Sequence, residues 1–156
     1  MTTQPTQARE SSNAYPDGQE DQSEGSRLAE RRTEVLELWI PQLAGWINSN
    51  HRPHWAQRAK LTKAWRQAGL MYARQAKLPK GLQRVRVEAH VVKSTAREYD
   101  AHNLMPTGKA IMDGLVDYGL VPDDKNRHVV GPDMREGGKG LPGILVKITQ
   151  LVIDPY

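Results

Sequence analysis

Val85-Arg86-Val87-Glu88-Ala89-His90-Val91-Val92-Lys93 decides the fold: Val85, Val87, Ala89 and Val91 alternate with Arg86, Glu88 and His90. Successive side chains of an extended chain point to opposite faces, so the alternation predicts a strand with one buried face and one wet face. Toward the N-terminus, Pro79 and Gly81 stop a long helical pattern that begins at about His54 and ends at Lys77. On its wheel Leu61, Trp65, Ala68 and Tyr72 form one apolar stripe, and Lys60, Lys63, Arg66, Arg74 and Lys77 lie on the other side. The helix should bury the first set and hold the second in water as a basic ridge. Further back, Val35–Ile40 is a short apolar strand closed by Pro41 and Gly45, with a turn-like stretch over Asn48–Pro53.

Downstream, Ser94–Leu104 reads as a connecting loop. Thr107, after Pro106, is the expected N-cap of a second helix that ends at Tyr118, with Gly119 as its stop. Ile111, Leu115 and Tyr118 share its inward face, while Lys109, Asp113 and Asp117 lie opposite. Pro122-Asp123-Asp124 is a turn. Arg127–Val130 and Gly143–Ile153 read as strands joined by a Gly-rich loop, Gly131–Gly143. The order β-α-β-α-β-β predicts a single small α/β domain of the mixed α+β kind, a mixed sheet with two main helices, over residues 33–156. Residues 1–32 contain almost no branched aliphatic side chains, and a segment that buries so little is expected to be a disordered tail.

Composition removes several chemistries. The 156 residues contain no cysteine, which excludes disulfides, thiolate metal sites and thiol nucleophiles. Any metal must sit on oxygen or imidazole. No apolar run is long enough to span a bilayer and no secretory signal is present, so the expectation is a cytoplasmic protein with no membrane partner. Gly137-Gly138-Lys139-Gly140 lacks the strand and helix that frame a phosphate-binding loop, so no nucleotide cofactor is expected.

The net charge of +4 hides a sharp polarity. Between Arg52 and Arg97 twelve Lys or Arg face one acid, Glu88; between Glu98 and Asp124 six acids face one Lys109. A basic block beside an acidic block suits a polyanion surface next to a divalent-cation site, although on charge alone two solvated helix faces are the favoured reading. Hydrolysis of a phosphodiester needs charge neutralisation and an activated water, and carboxylates that hold divalent ions provide both. Asp100, Asp113, Asp123 and Asp124 are the candidate ligands, and Mg²⁺ prefers such oxygen donors. Lys109 and Asp113, at i and i+4, also make an ordinary surface ion pair worth about 0.3–0.5 kcal/mol. His51 and His54 lack a third ligand and read as structural. Trp55 and Trp65 are candidates for stacking on exposed bases; Trp65 lies on the apolar stripe and is assigned to the core, and Trp55 is open.

The stretch from Asp100 through His102, Asn103, Lys109, Asp113 and Gly119 to Asp123-Asp124 resembles the signature of the RusA-like Holliday-junction resolvases, in particular their phage and actinobacterial-type members. Asn50-His51-Arg52-Pro53-His54-Trp55, followed by a basic helix, resembles the Asn-x-Arg opening of the same family. The resemblance spans roughly Val35 to Val152. It implies a RusA-like fold and a homodimeric, Mg²⁺- or Mn²⁺-dependent endonuclease that makes paired nicks in branched DNA, chiefly four-way junctions, in recombination and repair. Asp100 and Asp124 match its metal-binding aspartates, with Asp113 and Asp123 beside them. Lys109 matches its catalytic lysine and Asn103 the asparagine that positions the loop. His102 stands where the best-known members carry a second Asp, as a candidate metal ligand or phosphate contact, and the spacing from Asn103 to Lys109 is three residues longer than in short members. Asn50, Arg52, Lys60, Lys63, Arg66, Arg74 and Arg97 are the expected phosphate contacts. The alternatives are a structure-selective DNA-binding protein with weak or lost cleavage, or a nuclease for other branched DNA.

Overall fold

The computed structural model describes residues 34–151; the expected tail and the end of the last expected strand lie outside that range. The elements are β1 (Val35–Pro41), α1 (Trp55–Ala76), β2 (Val85–Lys93), a 3₁₀ turn (Ala101–Leu104), α2 (Met105–Tyr118), β3 (Val129–Lys139) and β4 (Gly143–Gln150). From Val35 onward they form one unit, a mixed α+β domain.

The sheet runs β1-β4-β2-β3. β4 pairs antiparallel with both β1 and β2, while β3 pairs parallel with β2. β1, β2 and β3 therefore point the same way, and each helix is a crossover between parallel strands. Such crossovers are right-handed, and two that step in the same direction place both helices on one face. That face is apolar in the expected alternation: Val85, Val87, Ala89 and Val91 are buried together with Leu38, Ile40, Ile144, Val146 and Ile148. Trp65, 1 % exposed, fills the space under α1 and stacks on Trp46 at 5.3 Å, its Nε1–H donating to the Gly45 carbonyl.

The helices run parallel to one another. Their C-terminal ends meet where Tyr118 Oη–H donates to the Leu78 carbonyl and Gly81 N–H donates to the Gly119 carbonyl. They touch through backbone: a Cβ on Gly114 would lie 2.1 Å from the Arg66 carbonyl oxygen, and one on Gly69 would lie 2.6 Å from the Ile111 carbonyl oxygen. Gly119 closes α2 at φ +101°, a left-handed conformation that costs glycine little.

Three expectations change. β3 occupies most of the segment expected to be a loop, Gly131–Gly143, and starts at Val129 rather than Arg127. It is an edge strand paired only with β2, and among its residues only Val129 and Met134 are buried, so it carries no hydrophobic alternation to read. The supposed loop Ser94–Leu104 ends in the 3₁₀ turn, which runs directly into α2 at Met105, two residues before the expected start. Thr107 is not an N-cap. It is fully buried inside the first turn, where its Oγ1 accepts from Ile47 N–H at 2.8 Å and donates to the Ile47 carbonyl at 3.1 Å.

Candidate active site and nucleic-acid interface

The first turns of both helices and the segments Asn48–Arg52 and Glu98–Asn103 gather at the end of the sheet where β1 and β2 finish. The C-terminal ends of parallel strands are where α/β folds build their sites, because the connecting loops converge there. Two backbone bonds fasten this end: Ser49 N–H donates to the Asn103 carbonyl at 2.8 Å, and Asn103 N–H donates to the Asp100 carbonyl at 3.1 Å. Asn103, half-buried, thus holds the loop through its main chain.

Lys109 projects from α2 into a pair of carboxylates. Its Nζ lies 3.0 Å from Asp113 Oδ1, one turn on, and donates to Asp124 Oδ2. Asp124 reaches it from the turn after Gly119, which Leu120 and Val121 anchor by burial. The hydrogen bond to Asp124 holds the Lys109 ammonium above its ordinary pKa, against some desolvation, and Asp113 adds to it. The same bond and charge hold the Asp124 carboxyl below the usual carboxylate range. Asp123 turns elsewhere. Its Oδ1 accepts from Lys125 N–H at 2.8 Å and its other oxygen lies 3.8 Å from Arg127, so it orders the turn.

Asp100 and His102 stand on the wall of a neighbouring cleft of about 590 Å³, shared with Glu98, Tyr99, Arg135 and Glu136. Asp100 Oδ1 accepts from His102 N–H at 2.9 Å and so caps the 3₁₀ turn. Met134, at the cleft floor, sits where a Cβ on Gly108 would fall, which sets the cleft against the first turn of α2. Tyr99 braces the wall: its hydroxyl donates to the Val91 carbonyl at 3.1 Å, and Lys93 Nζ lies 3.8 Å from its ring centroid. Burial pushes the Tyr99 phenol up, with Glu136 adding to the effect.

The structure therefore brings Lys109, Asp113 and Asp124 into one group and leaves Asp100 with His102 in the adjoining cleft. Among the described residues, no three His, Asp or Glu side chains are gathered closely enough to hold one metal ion. Asp113 and Asp124 nevertheless converge on a single positive charge, the Lys109 ammonium, and paired carboxylate oxygens are the donors a hard divalent ion takes. His54 Nδ1 accepts from Ala56 N–H, so it caps α1, in keeping with its structural reading.

The basic surface lies along α1, which has no acidic residue in its 22-residue span. Lys60, Lys63 and Arg74 are exposed on it, and Asn50, Arg52 and Arg97 are exposed on the loops at the site end. Arg66 departs from a free ridge: its Nε and Nη2 grip Asp117 of α2 at 2.6 and 2.8 Å. This fork raises the Arg66 pKa and lowers that of Asp117, the hydrogen bond being the larger cause in both.

Arg135, Glu136, Glu98 and Tyr99 were not singled out from sequence. The first two belong to β3, whose polar, Gly-rich composition conceals a strand. Tyr99 directly precedes Asp100, and an aromatic beside a candidate ligand was the available signal. Among the described residues no helix is long and apolar enough to cross a membrane. A scan against protein-family models finds no match. Nor does the sequence match any curated protein.

Proposed function

We propose that this domain is a divalent-metal-dependent DNA endonuclease of the RusA-like kind, acting as a homodimer on branched DNA, four-way junctions first, in the cytoplasm. The observation that carries the reading is the Lys109 ammonium held between Asp113 and Asp124 on α2, the helix that packs against the acid-free basic helix α1. Asp124 and Asp113 would hold Mg²⁺ or Mn²⁺, with Asp100 and His102 supplied from the adjoining cleft wall as the resemblance implies. When bound, such an ion neutralises charge at the scissile phosphate and acidifies a water. Lys109 Nζ, released from Asp124, donates to a phosphate oxygen as charge builds there. Lys60, Lys63, Arg74, Arg52 and Arg97 take the phosphates of the duplex arms, and a two-fold dimer sets two such sites on opposed strands.

The test is cleavage of a synthetic four-way junction with Mg²⁺. Paired nicks that vanish in Asp100→Asn and Asp124→Asn support the proposal; an uncut junction, or equal cutting by both variants, removes it. A second reading rests on the separation of Asp100 and His102 from the Lys109 group: a junction-binding protein that has lost cleavage. Tight junction binding without nicking, with nicking restored by His102→Asp, selects that reading.

A further inference from the structure

Trp55 is out of place for its residue type. It opens α1 with 77 % of its surface exposed, on a helix that buries Trp65 almost completely. Its ring lies against His54, with centroids 5.6 Å apart and planes tilted by 32°. Shallow concave surfaces flank it, one lined by Arg58, Thr62, Lys63 and Arg66 and the other by His54, Lys60 and Lys63. The aromatic face is thus exposed beside Arg58, Lys60 and Lys63, on a helix that carries no acid.

Trp55, Thr62 and Arg66 follow one line along α1. The Arg66–Asp117 fork joins that line to the Asp117, Asp113, Lys109 line of α2. The helices run parallel, and Trp55 stands at the N-terminal end of α1.

Resting on the nuclease reading above, we infer that Trp55 is a stacking platform for an unpaired base, with Arg58, Lys60 and Lys63 holding the flanking phosphates. Single-stranded sites combine these two elements: cations that follow the backbone and an aromatic face that takes any base. A duplex keeps its bases stacked on one another and offers Trp55 nothing. Strand opening at a branch point offers it a base, which gives the domain a way to tell branched from linear DNA without reading sequence.

The experiment measures affinity of the full chain for three labelled DNAs without divalent metal: a dT oligomer of about 16 nucleotides, a duplex of equal length and a four-way junction. Trp55→Ala should weaken dT binding by roughly 10- to 100-fold and weaken the junction measurably, with duplex affinity within twofold of wild type. Trp55→Tyr should retain most of the dT affinity, and Lys63→Ala should weaken all three DNAs and reduce the salt dependence. Unchanged dT binding by Trp55→Ala overturns the inference, as does an equal loss on all three DNAs. Trp55-dependent binding to phosphatidylserine vesicles combined with Trp55-independent DNA binding also overturns it, in favour of a membrane surface. Failure of the wild type to bind any DNA overturns the nuclease reading itself, whereas wild-type binding that ignores Trp55 removes only the platform.

Discussion

Thr107→Val isolates one interaction. Valine matches threonine in shape, so packing at this fully buried position is retained and only the hydroxyl is lost. Two hydrogen bonds go with it, and both partners are on Ile47, itself buried, whose N–H and carbonyl then have no partner there. An unsatisfied buried polar group costs about 1–3 kcal/mol, so the pair implies roughly 2–6 kcal/mol. The Ile47 loop faces solvent on one side, which favours the lower end, about 2–3 kcal/mol. For a domain of this size that corresponds to a melting temperature lowered by ~8–15 °C. Thr107→Ser keeps the hydroxyl and loses only a methyl, about 1 kcal/mol, so serine must be milder than valine. Urea denaturation of wild type and both variants gives the order, and amide exchange at Ile47 reports the loop directly. A valine variant within about 0.5 kcal/mol of wild type, or one more stable than serine, refutes the reasoning.

Gly114→Ala should destabilise by about 2–4 kcal/mol although alanine favours helix by ~1 kcal/mol, because its Cβ meets backbone that cannot rotate away; thermal melting checks it. The Asp117 carboxyl is lowered by Arg66, so its contribution to stability is full above the ordinary carboxylate pKa of ~4 and is lost as pH falls through the lower folded value. Asp117→Asn should therefore be less stable than wild type at pH 7 and equal to it at the acid end of a denaturation series. Lys109→Gln should return the Asp124 carboxyl toward its ordinary range, seen by NMR titration, and reduce junction nicking by about 10²–10³-fold with binding little changed. Chelation of divalent ions should stop nicking and leave junction binding in place, read on gels with and without EDTA; nicking that persists removes the metal from the proposal.

The parts legible in sequence are those in which one physical demand sets the residue. β2 matches its expected limits because alternation in a central strand is imposed by burial on one face. Gly119 ends α2 because the left-handed turn there favours glycine. The Lys109–Asp113 pair follows from helical spacing. Elsewhere the demand came from across the fold. Thr107 had the chemistry of a cap, but a chain segment 60 residues away took its hydroxyl. β3 needed few apolar residues because only Val129 and Met134 of it are buried. That Asp124, and not Asp123, meets Lys109 depends on how the turn after Leu120 and Val121 is aimed, which no spacing encodes. Arg66 resembled its basic neighbours until α2 placed Asp117 beside it.

The position of β4 has a consequence for assembly. β1 and β2 never pair with each other; the last strand of the sheet lies between them and bonds to both. A chain shortened before Gly143 leaves β1 without a partner and one side of β2 unpaired, open edges that invite pairing with other molecules. The topology thus divides the domain into a slotted receptor and a short plug. Gly143–Gln150, added as a separate peptide to a chain ending before it, becomes a natural place to split the protein and make its reassembly, and any activity it carries, conditional on bringing the two pieces together.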